Sequence, residues 1–279
     1  GSHIVTCHPH VCQKRHGPCL DMYIRTLLVC SPFPTGLNHN DTSVFENITS
    51  DNSDVDSNDL PDMINNYLIS VAKSVSPLQS DLLDNLRAEL IDCPVEFIVS
   101  EFDVYMKLVK LNVRKASLCS TIDNRLLYKL ADVLAAPICA LINTSIRQGL
   151  VPEQWKLSRI SPIPKNIPVM RIDNDIRPIA VTCPISKIAE SFVSSLFNQH
   201  FVDHLDVNQH GSTKGRSTVT ALIHFSHSIF VASDDNRNII RLLFVDFSKA
   251  FDLIDHSVLY NKLTDLEFPA HVRLWSLSF

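Results

Sequence analysis

A nearly continuous apolar run at residues 239–247, IIRLLFVDF, constrains the fold more than any other segment. Such a run is typical of a strand that is covered on both faces, so the sequence predicts a buried central strand here. Asp246 lies near its end, and a buried carboxylate costs free energy unless it is paired or bound to a metal. Asp246 is therefore the candidate metal ligand, because Mg²⁺ takes one or two carboxylates together with waters and substrate phosphates.

Apolar spacing and capping residues predict helices on both sides of this strand. We expect them to begin near residue 61 and to cover about 82–90, 100–111, 124–148, 187–202, 217–233 and 255–266. Pro137 should kink or split the longest helix, and Gly149 should end it. The Pro-marked stretches 156–165 and 177–182 predict a β-hairpin with a long tip. The predicted fold class is α+β.

The first 60 residues are predicted to be a disordered, acidic and Cys/His-rich linker, followed by a helical extension at 61–110. Residues 38–62 contain seven acidic and no basic side chains. A set of Cys7, Cys12, His16 and Cys19 has the residue types of a zinc site, but its spacing matches no zinc pattern, and an unstructured tail is the preferred interpretation.

Membrane and secretory signals are missing from the sequence. No run of about 18 apolar residues occurs, so no membrane span is expected, and no secretory signal precedes the first cysteines. We therefore expect an intracellular protein with reduced thiols, in the nucleus or the cytoplasm.

Charge is unevenly distributed along the chain. The whole chain has a net charge of −5, whereas residues 107–190 have a net charge of +7. A basic stretch is typical of a surface that binds a polyanion, but an ordinary solvated face has the same composition. Both interpretations remain open from composition alone.

The sequence around Asp246 resembles a known catalytic motif. Residues 244–252, FVDFSKAFD, resemble the first catalytic motif of reverse transcriptases of the non-LTR retrotransposon (long interspersed element) class. Six further segments are similar to motifs of that family and occur in the family's order: PEQWK (152–156), PIPK (162–165), RPI (177–179), SKIAE (186–190), QHG (209–211) and GRST (215–218). The resemblance covers about residues 95–279.

This resemblance implies a right-hand polymerase fragment, in which residues 111–279 are the fingers and part of the palm. The implied activity is RNA-directed DNA polymerisation, a nucleotidyl transfer with two Mg²⁺ ions. The implied partners are an RNA template, a DNA primer and deoxynucleoside triphosphates. The oligomeric state stays open.

The same resemblance assigns roles to individual residues. Asp246 would be catalytic and would bind metal together with the Phe247 carbonyl. The nucleotide-binding residues would be Lys165, Arg177, Lys249 and Phe251. The nucleic-acid-binding residues would be Lys156, Arg159, Lys214 and Arg216. Alternatively, Phe251 is an ordinary core aromatic, and the basic residues belong to an ordinary solvated surface.

The sequence departs from the family in ways that keep other functions open. Residues 117–119 are Ser-Leu-Cys where the family has Gly-Pro-Asp, and residues 1–279 contain no Tyr-x-Asp-Asp motif. We therefore expect this chain alone to be inactive. The alternative is a non-catalytic retroelement remnant that at most binds nucleic acid. A phosphotransferase or hydrolase with Asp246 as nucleophile would need a second acid at position 248, which is Ser248.

Overall fold

The computed structural model describes residues 4–6, 60–76, 78, 80–90, 93, 95–115, 117, 122–201, 204–234, 239–247 and 249–278. The chain divides into two compact units. The hairpin unit consists of Leu27–Val193 and Asp252–Phe279, and the Asp246 unit consists of Gly1–Thr26 and Ser194–Phe251.

The described residues form both helices and strands, so the mixed α and β class is confirmed. In chain order the elements are β1 (Ile4–Thr6), α1 (Leu60–Lys73), α2 (Ser80–Ala88), a 3₁₀ turn (Val95–Phe97), α3 (Glu101–Leu108), α4 (Asn124–Lys129), α5 (Ala131–Gln148), α6 (Glu153–Lys156), β2 (Ser158–Pro164), α7 (Ile172–Asp175), β3 (Ile176–Thr182), α8 (Pro184–Phe201), α9 (Thr218–Ser233), β4 (Arg241–Leu243), α10 (His256–Asp265) and α11 (Ala270–Leu277).

Capping side chains fix the beginnings of the predicted helices. Ser100 accepts a hydrogen bond from the Asp103 amide at the start of α3, and Asp123 accepts one from the Leu126 amide at the start of α4. Such caps satisfy amides that have no partner inside the helix. These boundaries depend on local sequence, and the sequence prediction locates them within a few residues.

The predicted helix at 124–148 is split, but not at Pro137. The break lies at Leu130, whose φ of −108° and ψ of 24° separate α4 from α5. Pro137 lies inside α5, where its ring nitrogen cannot donate to the Val133 carbonyl. Val133 is 65% exposed, so water can satisfy that carbonyl. The prediction of a break at Pro137 was therefore wrong, because α5 continues through this residue from Ala131 to Gln148.

The predicted hairpin is confirmed. Strands β2 and β3 pair antiparallel, with Ser158 opposite Thr182 at the base and Pro164 opposite Ile176 at the tip. The tip is packed by α1, because Ile64 lies in a buried cluster with Val169 and Ile176. The helical extension therefore supports the hairpin.

Helix α11, which the sequence analysis did not predict, packs against α2, α5 and α10. Trp275 and Leu274 are fully buried. The Arg273 guanidinium donates to the Glu89 carboxylate at 2.6 Å and to the Thr264 hydroxyl at 3.1 Å. Aromatic burial of this kind contributes much of the packing free energy of a core.

The prediction of a buried central strand at 239–247 was wrong. Strand β4 covers Arg241–Leu243, and all residues from 241 to 247 are exposed. A strand becomes buried when other elements cover it, and among the described residues β4 pairs with β1 alone, in parallel. On one side Phe225 of α9 contacts Phe244, with ring centroids 5.7 Å apart.

The predicted linker lies almost wholly outside the described residues. Ile4–Thr6 form β1, and α1 begins at Leu60. The Cys/His set of the zinc hypothesis falls outside the described part of the chain. No helix in that described part has the length and apolarity needed to cross a membrane.

Candidate functional site

Asp175 organises the tip of the hairpin. Its carboxylate accepts hydrogen bonds from the backbone amides of Arg171 at 2.9 Å and Met170 at 3.1 Å, and from the side-chain amide of Asn166 at 3.3 Å. The bonds from Arg171 and Met170 stabilise the ionised form and lower the pKa of Asp175. The sequence analysis missed this residue, although an acid preceding a strand after a polar loop is a common turn signal.

Lys165 and Arg177 lie together on one face of the hairpin. Directly opposite residues of an antiparallel pair share a face, which places Arg177 beside Ile163. The bond from Lys165 N to Asp175 O, 2.7 Å, continues the pairing by one position. Lys165 and Arg177 are then diagonal neighbours, roughly 7–8 Å apart between Cα atoms. Both side chains are exposed, so the face presents two cations to solvent.

The ammonium of Lys165 is oriented by the tip itself. Its Nζ donates to the Asn174 carbonyl at 2.8 Å. This bond uses one of three donors, so two remain for a ligand. Arg177 forms no ion pair with any residue that the structure describes. The pair is suited to an anion with several oxygens, because Arg offers a planar fork and Lys a point charge.

Arg159 lies on the same hairpin face, nearer the base, and Lys156 lies just before it in α6. Arg159 is opposite Val181, which is four residues from Arg177 and therefore about 13 Å along the strand. Lys156 Nζ forms an ion pair of 2.7 Å with Glu153. Arg159 and Lys156, both predicted to contact the template, therefore differ in the charge they offer to it. The neighbouring carboxylate of Glu153 already compensates the charge of Lys156.

In the Asp246 unit, Asp246 follows β4 and is exposed. Its Oδ1 accepts a hydrogen bond from the Phe247 amide at 2.9 Å. That bond fixes the carboxylate against its own backbone and leaves Oδ2 available. Phe247 is 57% exposed.

Lys249 and Phe251 lie in the turn that follows. Lys249 adopts a left-handed conformation with φ of 50°, which costs a non-glycine residue about 1–2 kcal/mol. Phe251 is half-buried. This degree of burial is compatible with a core aromatic and with a ring that faces a ligand.

Lys214 and Arg216 belong to the loop before α9. The Arg216 guanidinium donates to the carbonyls of Val207 and, at 3.2 Å, Gln209. Arg216 therefore uses some of its N–H donors to hold the conformation of this loop. Lys214 is exposed and precedes Gly215, whose φ of 79° reverses the chain.

Residues 163–279 match the family model described as reverse transcriptase (RNA-dependent DNA polymerase). The match includes the end of β2, the hairpin tip, all of β3, the Arg216 loop and Asp246.

A curated relative extends the similarity toward the N-terminus of the chain. The chain is 29% identical over 194 residues to a Drosophila melanogaster protein named "Probable RNA-directed DNA polymerase from transposon BS". The alignment covers 68% of the chain and 21% of that relative. The chain therefore spans about a fifth of the relative's length.

A magnesium site needs several oxygen donors arranged around one point. Among the described residues, no group of three or more His, Cys, Asp or Glu side chains is arranged to hold a metal ion. The Asp246 carboxylate and the Phe247 carbonyl are oxygen donors of the kind that Mg²⁺ prefers, but they are two of six ligands. The described residues alone do not form the two-ion site that the resemblance implies.

Proposed function

We propose that this chain supplies the fingers and the start of the palm of a right-hand, RNA-directed DNA polymerase encoded by a non-LTR retrotransposon. The match of residues 163–279 to the reverse transcriptase family carries the proposal. The named relative supports an origin from a transposon. The hairpin geometry supports it further, because its tip presents two cations on one exposed face.

The nucleotide roles follow from charge and position. Lys165 and Arg177 would hold the triphosphate of the incoming deoxynucleotide. The ring of Phe251 would pack against its sugar, and Lys249 would neutralise the same phosphates. Asp246 and the Phe247 carbonyl would contribute ligands to Mg²⁺, which supplies charge stabilisation at the reacting phosphate when it is bound.

The nucleic-acid roles follow the basic surfaces of the two units. Arg159 and Lys156 would contact the template backbone beside the hairpin, and Lys214 and Arg216 would do so from the loop before α9. Contacts of this kind are independent of sequence and weaken with salt, because phosphate binding releases counterions.

Nucleotide binding tests the hairpin assignment. Titration of the chain with dTTP and Mg²⁺ should give binding that weakens by at least about tenfold in Lys165→Gln/Arg177→Gln, since each charge-assisted hydrogen bond contributes about 1.5–3 kcal/mol. The variant Lys110→Gln/Arg125→Gln removes the same charge elsewhere on the hairpin unit and should bind as the wild type does. Equal weakening in both variants would show that only net charge matters.

Primer extension tests the expected inactivity of this chain alone. The chain is incubated with a primed RNA template, Mg²⁺ and deoxynucleotides, beside Asp246→Asn as control. No extension is expected, because residues 1–279 contain no Tyr-x-Asp-Asp motif, and this result is common to the polymerase fragment and the non-catalytic remnant. Extension that disappears in Asp246→Asn would locate catalysis in this chain and exclude the remnant.

A further inference from the structure

A second group of cations lies outside the hairpin, in the same unit. Lys107 is on α3, Arg114 and Lys115 are in the turn that follows, and Lys187 is in the first turn of α8. We call these four residues the Lys115 cluster. None of them belongs to the residues assigned above to nucleotide or template.

A buried amide fixes the turn of the Lys115 cluster. Asn124 is 6% exposed, and its Nδ2 donates to the Asn112 carbonyl at 2.9 Å and to the Lys115 carbonyl at 3.4 Å. Asn112 Oδ1 accepts from the Arg114 amide at 3.0 Å, and Lys115 N donates to the Asn112 carbonyl at 3.1 Å. Arg114 and Lys115 are therefore presented from a rigid backbone, which reduces the entropy cost of binding a ligand.

Lys187 lies close enough to Lys115 for the two charges to interact. Partial burial and then the positive charge of Lys115 lower the pKa of Lys187, while Glu190 and Cys183 oppose the shift more weakly. Glu190 is buried and accepts the Ser186 hydroxyl at 2.7 Å. The N-terminus of α8 adds a partial positive charge of its own. The arrangement concentrates like charge, which lowers stability unless an anion compensates it.

Lys107 extends the cluster along α8. Its Nζ lies 5.4 Å from the ring centroid of Phe192, a cation–π distance that holds the ammonium near this helix. Within the described part of the chain, no carboxylate forms an ion pair with any of the four cations. Among the described residues, Glu190 therefore compensates Lys187 only in part, and Lys107, Arg114 and Lys115 have no carboxylate in ion-pair contact.

We propose that the Lys115 cluster binds the phosphate backbone of RNA, as a contact separate from the hairpin. Cations from three elements, spread along α8, fit an extended polyanion better than one compact phosphate. The choice of RNA as the ligand rests on the proposed function. The expectation that some anion binds here rests on the concentrated positive charge of the Lys115 cluster.

Salt-dependent RNA binding tests the proposal. Binding of a fluorescein-labelled 20-nucleotide oligo(U) is measured by anisotropy from low to high salt for the wild type and for Lys115→Gln/Lys187→Gln. Each phosphate contact to a single strand contributes about 0.7 to the slope of log K against log salt, so the slope should fall by roughly 1.4. The control Lys73→Gln/Lys129→Gln removes two charges from other helices of the same unit and should keep the wild-type slope. Circular dichroism verifies that all variants are folded.

The outcomes separate this inference from the proposed function. In one outcome, the cluster variant and its control both keep the wild-type slope while Arg159→Gln lowers it. This result would overturn the RNA contact at the Lys115 cluster and would still support the contact at the hairpin. No RNA binding by the wild-type chain at any salt would overturn both. If the slope fell equally in the cluster variant and in the control, net charge alone would explain the change, and the inference would also be overturned.

Discussion

The indole Nε1 of Trp275 donates a hydrogen bond of 2.9 Å to the hydroxyl of Ser145, 130 residues earlier in the chain. Ser145 Oγ in turn donates to the Leu150 carbonyl at 2.5 Å. Both side chains are buried. This relay joins α11 to the end of α5 through groups that water cannot reach, so each depends on the other for its hydrogen bond.

Replacing Ser145 by alanine should therefore destabilise the hairpin unit. Ser145→Ala leaves the Trp275 N–H and the Leu150 carbonyl without their partner in a buried site, at a cost of about 1–3 kcal/mol. Urea denaturation followed by tryptophan fluorescence measures the loss. Ser74→Ala removes an exposed hydroxyl that bonds the Val71 carbonyl and should change stability by no more than about 0.5 kcal/mol. Equal stability of the two variants would contradict the relay.

Gly149 should tolerate no side chain, for two separable reasons. Its φ of 60° is left-handed, and a Cβ there would lie 2.6 Å from Leu274 Cδ2. Gly215 also has a positive φ, 79°, but nothing lies within 4 Å of its Cβ position. Gly215→Ala should therefore cost about 1–2 kcal/mol of backbone strain, and Gly149→Ala more. Thermal denaturation of both variants compares them, and equal losses would mean that Leu274 moves aside freely.

Local signals explain what the sequence predicted correctly. Ser100, Asp123 and Gly149 determine helix ends through their immediate neighbours, so their roles can be recognised from sequence. The hairpin was likewise recognisable from its prolines and alternation. The exposure of β4 was not recognisable, because burial depends on which distant elements cover a strand, and the apolar pattern carries no such information.

The candidate site shows the same division. The charges of Lys165 and Arg177 follow from the sequence, but their common face depends on the register of β2 and β3. Asp175 was missed because its role depends on folding the tip back onto its carboxylate. Helix α11 was missed because its short apolar stretch has no capping side chain before it.

Asp175 should make the hairpin sensitive to acid. Its pKa is lowered in the folded state, so its ionised form stabilises the fold above the ordinary aspartate pKa, and this stabilisation is lost as pH falls through the lowered value. Asp175→Asn should therefore be less stable than the wild type near pH 7, and the difference should shrink below about pH 4. Urea midpoints at pH 7 and pH 3 measure this. Asn174→Ala keeps the carboxylate and should keep the wild-type pH dependence; a loss of that dependence there as well would contradict the role of Asp175.

The ion pair between Lys156 and Glu153 leads to a prediction that a uniform basic face would not give. Since Glu153 compensates Lys156 at 2.7 Å, Lys156→Gln should reduce the salt slope of RNA binding by less than the roughly 0.7 expected for Arg159→Gln. Glu153→Gln removes the carboxylate beside Lys156 and should strengthen RNA binding and steepen the slope. The control Gln154→Glu adds a negative charge at the neighbouring exposed position and should weaken binding modestly without changing the ion pair. Anisotropy titrations with oligo(U) RNA measure all four variants. If Glu153→Gln bound RNA no more tightly than the wild type, Lys156 would be a structural partner of Glu153 and not a template contact.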